Sequence, residues 1–144
     1  MPEQNFPPTV RYEVLGPYFL AWDYVNEAQM RLLEKDLSAP FDALKLLQYG
    51  AICAKTQVKS LFKPSQEKMV GLFEVYLASA QEASKQKLHD VYMQKYDRAR
   101  TEYELSRVTC DARLQALEAY LRAIKEVLEA EHWLSPENVR QLPR

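Results

Sequence analysis

From Pro17 to Leu37 the apolar residues Phe19, Trp22, Met30, Leu33 and Leu37 recur at steps that fit 3.6 residues per turn, which predicts a helix starting at Pro17. Leu20, Tyr24 and Ala28 widen this stripe onto a second face, as in a helix buried on two sides, by its own domain and by a partner. Ser38-Ala39-Pro40 ends that helix and opens the next, with Pro40 in the first turn, where a missing N–H loses no bond. So short a link makes the two helices antiparallel neighbours. In the second, Leu44, Leu47, Ala51, Ala54, Val58 and Leu61 alternate steps of three and four and draw one apolar seam over about twenty residues. Gly50, Ala51 and Ala54 flatten the middle of this helix and predict the closest helix crossing near Ala51.

Lys63-Pro64-Ser65 stops the second helix and caps a third, with Ser65 as N-cap and Glu67 near the positive end of the helix dipole. From Leu72 to Leu134, 63 consecutive residues contain no Gly, Pro or Asn. With those turn formers missing, the pattern predicts one unbroken helix from about Ser65 to Leu134, roughly 105 Å long at 1.5 Å per residue. Its apolar register falls into three sets: Phe73, Tyr76, Ala80 and Ala83; then Leu88, Tyr92, Tyr96, Ala99 and Tyr103; then the heptad seam Leu114, Leu117, Leu121, Ile124 and Leu128. The register slips between Ser106 and Asp111, which fits either a stutter in a continuous helix or the turn of a hairpin. The expected fold is therefore all-α: two antiparallel helices of about twenty residues on one very long, coiled-coil-like C-terminal helix, or a four-helix bundle if that helix breaks near residue 108. Residues 1–16, with three prolines and a Gly16-Pro17 pair at the end, read as an extended arm before a single helical domain over 17–134. Ser135-Pro136-Glu137 then caps a short C-terminal turn and tail over 135–144.

Composition agrees with helices. Ala, Glu, Lys, Arg and Leu make up nearly half of the 144 residues and glycine appears only three times, which argues against a sandwich or barrel. A net charge of -1 gives no field that would draw the whole molecule to nucleic acid or an anionic membrane. The N-terminus lacks a basic region followed by an apolar one and no window approaches a membrane span, so a cytoplasmic chain is expected. Cys53 and Cys110 belong to no Cys-x-x-Cys or Cys/His pair and read as small buried side chains.

Candidate chemistry is sparse. Glu129 and His132 have the Glu-x-x-His spacing of di-iron bundles, but the other histidine, His89, has Gln86 in the carboxylate position, so no metal or cofactor is expected. No Gly-rich phosphate cradle or nucleophile motif is present, and the chain reads as no enzyme. Lys55, Lys59 and Lys63 repeat every four residues at the end of the second helix, where cations complement the dipole. Between residues 85 and 107, Lys85, Lys87, Lys95, Arg98, Arg100 and Arg107 alternate with Tyr92, Tyr96 and Tyr103, while four acids dilute the stretch.

Two covering helices of about 30 Å cannot wrap a rod three times as long, and an uncovered leucine seam demands a partner. The sequence therefore points to a helical protein–protein interaction module, an adaptor, assembly factor or structural subunit, that binds a protein partner or its own copies. Its expected interface is Tyr18, Phe19, Trp22, Tyr92, Tyr96, Tyr103, Leu114, Leu117, Leu121, Ile124 and Leu128. The alternatives are a nucleic-acid binder using residues 85–107 and a helical bundle holding a ligand or metal.

Overall fold

The structure, a computed structural model, describes the backbone of residues 8–134 and the side chains of residues 13–134. Within these residues it is an all-helical bundle: α1 (Pro8–Leu33), α2 (Ala39–Leu61), α3 (Pro64–Val70), α4 (Phe73–Ala83), α5 (Lys85–Met93) and α6 (Arg98–Ala130). Helix α6 lies between the α1–α2 pair and the α4–α5 arm and packs on both. Cys110 meets Pro40 and Leu117 lies beside Gly50, so α2 runs with α6. Tyr120 stacks against Phe73 and Tyr76 while the start of α5 lies beside Thr109, so the α4–α5 arm runs against it. The short α3 is the link that lets the chain cross the end of the bundle.

Helix α1 begins at Pro8, not at Pro17, so an extended arm is not what residues 8–16 form, and the rest of the expected arm lies outside the described residues. Pro8 occupies the first helical position, where no N–H is needed. Pro17 sits inside the helix, where it removes one ladder hydrogen bond and its ring crowds the preceding turn. A side chain from α2 mends the damage. The fully buried Gln57 accepts a hydrogen bond from the Tyr18 N–H at 3.0 Å and donates its Nε2 to the Val14 carbonyl at 2.9 Å. One amide thus satisfies both a donor and an acceptor of the interrupted turn, and the helix continues through the proline.

The apolar stripe of α1 is Leu15, Tyr18, Phe19, Ala21, Trp22, Val25 and Ala28. Met30, Leu33 and Leu37, which the sequence pattern places on the buried stripe, are exposed. Arg31 closes the α1–α2 link instead, pairing with Glu34, Asp36 and Asp42 at 2.6, 2.8 and 2.9 Å. The Arg31 guanidinium, with help from Ser38, holds the Asp36 carboxyl well below its ordinary 3.8.

The seam expected on α2 faces the core: Leu47, Ala51, Ala54 and Val58 are buried, and Leu44 and Leu61 pack against them. The close crossing falls at Gly50, where an added Cβ would stand 2.9 Å from Leu117 Cδ2 and 3.2 Å from Tyr24 Cβ. Three helices converge there because one residue has no side chain.

The segment expected as one rod from Ser65 to Leu134 is four helices. The first break is at Gly71, whose φ of 81° suits glycine and ends α3. The Tyr76 hydroxyl donates to the Val70 carbonyl across that break. A kink follows at the buried Ser84, whose Oγ donates to the Ala80 carbonyl at 2.9 Å, in competition with the ladder. The reversal itself lies at 94–97, between α5 and α6, while residue 108 is inside an unbroken α6. Asp97 opens α6 as its N-cap and accepts from the Arg100 N–H at 2.8 Å.

At the other end α6 stops at Ala130, four residues before Leu134. His132 takes a left-handed φ of 64°, the Trp133 N–H donates to the Leu128 carbonyl at 2.9 Å, and the His132 N–H donates to Glu129 at 3.0 Å. This is a Schellman closure with histidine where glycine is commonest. The expected cap at Ser135-Pro136-Glu137 lies outside the described residues.

Candidate interaction surface

Of the residues expected at an interface, the structure buries most. Tyr18, Phe19 and Trp22 are core residues of α1, and Leu117, Leu121, Ile124 and Leu128 are fully buried under α2 and α4, with Leu114 packed against them. The leucine seam is internal because the chain doubles back and covers it. No second molecule is required to hide it.

The remaining three, Tyr92, Tyr96 and Tyr103, belong to a tip. Beyond the level of Arg107, whose guanidinium reaches the Leu32 carbonyl at 3.4 Å, α6 has left α1 and α2 behind and pairs with α5. Helix α5 contains no buried residue, and every residue from Tyr92 to Arg100 is exposed. Tyr92 and Met93 are each 69% exposed. The Arg100 guanidinium sits 4.9 Å over the Tyr96 ring, and Arg107 lies 5.9 Å from the Tyr103 ring. Lys95, Arg98 and Arg100 gather here with Asp97, which caps α6, while Arg98 and Arg100 pair with Glu102 and Glu104 one turn along at 3.2 and 3.4 Å. A capped hairpin end thus presents two aromatic rings, a methionine and charges of both signs.

The rest of the molecule offers little chemistry. A cleft of about 300 Å³ lies between Lys55, Lys59, Glu67, Glu74 and Tyr120. Its charges balance, with Lys55 bound to Glu74 at 2.5 Å. Burial, with Glu74, Tyr76 and Glu67 nearby, pushes the Tyr120 phenol up to about 12 and keeps it protonated. Burial likewise pushes the Cys110 thiol up to about 11, and its Sγ lies 2.9 Å from the Pro40 carbonyl, an arrangement that makes it inert. Among the described residues no three His, Cys, Asp or Glu side chains come together to hold a metal ion. Glu129 and His132 do not share a helix face, because α6 ends between them. No helix among the described residues is long and apolar enough to cross a membrane.

The fold and this surface together define an all-helical bundle with a projecting two-helix tip. No family model matches the chain, and neither a curated protein nor a solved structure matches it.

Proposed function

We propose that this chain is a non-enzymatic helical interaction module, an adaptor, assembly factor or structural subunit that engages another protein through the α5–α6 tip. The observation that carries the reading is the exposure of Tyr92, Met93 and Tyr96 on a hairpin end that adds nothing to the core. Tyrosine, methionine and arginine are enriched at the centre of protein interfaces, where each covers a large area and the tyrosine ring does so with little loss of freedom. Arg98 and Arg100 pair with Glu102 and Glu104 on the same helix, so a partner surface of mixed charge, not a strongly acidic one, suits the tip.

The basic and aromatic content of the same tip also supports the nucleic-acid reading, in which bases stack on Tyr92 and Tyr96 beside the arginines. One experiment separates the two. A photo-crosslinking residue is placed at Tyr92 or Tyr96 in cells, with Ser79 on α4 as the control position. The protein reading expects a discrete adduct from the tip positions alone that resists nuclease and disappears with protease. An adduct that nuclease destroys transfers the function to nucleic acid, and an identical pattern from Ser79 sinks both.

A further inference from the structure

We infer that the outer face of the α1–α2 pair docks a second copy of this chain. This surface is distinct from the tip, and the inference stands independently of the reading given to it. Leu20 on α1 and Phe41, Tyr49 and Ile52 on α2 are exposed, Tyr49 by 55% and Ile52 by 60%. On α2 the spacing of Phe41, Lys45, Tyr49 and Ile52 aligns them along one row, opposite the buried row of Leu47, Ala54 and Val58. On α1, Leu20, Tyr24, Glu27 and Arg31 are aligned in the same way. The Tyr24 and Tyr49 rings meet at 5.9 Å and join the two rows into one surface.

The register of the pair makes this surface complementary to itself. Tyr24 lies level with Tyr49 and Arg31 with Asp42, so Glu27 stands level with Lys45 and Leu20 with Ile52. A two-fold axis parallel to the helices, midway between α1 and α2, lays α1 of one copy over α2 of the other at the same height. Leu20 of each copy then covers Ile52 of the other, the Tyr24 and Tyr49 rings stack in the centre, and Glu27 faces Lys45 across the contact. Glu27 and Lys45 are exposed and form no ion pair with each other or with another described residue, which leaves both available for that contact. Two helices of about 35 Å, together about 20 Å wide, offer about 700 Å² a side, close to the roughly 800 Å² that standard stable interfaces bury on each partner.

Sedimentation of the full chain tests this. Wild type is expected at twice 16.8 kDa at high concentration and to dissociate on dilution. Ile52→Glu, outside the core, should run as a monomer with an unchanged far-ultraviolet helical signal. Glu27→Lys and Lys45→Glu should each raise the dimer dissociation constant on the order of fivefold, since each removes two exposed ion pairs, and the double swap should restore it. A chain that stays at 16.8 kDa up to its solubility limit overturns the inference, as does a dimer that survives Ile52→Glu. A monomer that binds a different protein through Ile52 assigns the face to that partner and overturns it equally. Tip variants at Tyr92 and Tyr96 should leave the sedimentation mass unchanged, so failure of the dimer and failure of the tip reading are separate results.

Discussion

Gln57 is the residue on which the course of α1 depends. Without it, the Tyr18 N–H and the part-buried Val14 carbonyl beside Pro17 lose the bridge between them and must close on each other across the kink. Gln57→Leu keeps the volume and removes the bridge, so it should lower the free energy of unfolding by about 1–3 kcal/mol, read by urea denaturation. Gln57→Glu separates the two halves of the bridge. A carboxylate still accepts from Tyr18 but repels the Val14 carbonyl, and only the protonated acid restores the donor. The folded state therefore binds that proton more tightly than the unfolded one, and the variant should gain stability as the pH falls from about 8 to about 5, where Gln57→Leu should not. An identical pH profile for the two variants would show that the amide donor is unimportant.

At the level of helices, the antiparallel α1–α2 pair is legible from Pro40 and from the α2 seam, but in α1 the expected stripe is buried only at Phe19 and Trp22, with Met30, Leu33 and Leu37 exposed. The broken C-terminal half is less legible, and the reason is chemical. Counting Gly, Pro and Asn as the turn formers leaves out Asp and Ser, whose short side chains also bond the backbone locally. Ser84 marks the kink and Asp97 marks the start of α6, both inside the stretch that lacks Gly, Pro and Asn. The heptad seam of Leu114–Leu128 is read correctly as apolar, but periodicity alone does not say whether another molecule or the same chain covers it. Asp97→Ala should cost about 1 kcal/mol by removing the bond to the Arg100 N–H, and Asp97→Asn should be close to neutral. Hydrogen exchange at Arg98–Thr101 should quicken in the alanine variant while the amides of α1 stay protected. Unchanged exchange there would show that the loop geometry, not the cap, starts the helix.

For the molecule as a whole, the return of the chain at 94–97 moves the leucine seam from the outside to the inside, and the two locations make opposite demands on a mutant. On an exposed seam, Leu121→Ala would weaken assembly and leave the monomer intact. In this fold Leu121 is fully buried with Leu117, Ile124 and Leu128, between the α1–α2 pair and α4. Truncating it removes buried methyl groups and leaves a cavity that the rigid helices fill only in part, so unfolding should become easier by about 2–5 kcal/mol. Tyr92→Ala, on a tip with no buried neighbours, should fall within about 0.5 kcal/mol of wild type and change only what the protein binds. Thermal and urea unfolding of the two variants side by side measure this division. A stable Leu121→Ala protein with altered assembly would return the seam to the surface and with it the unbroken rod.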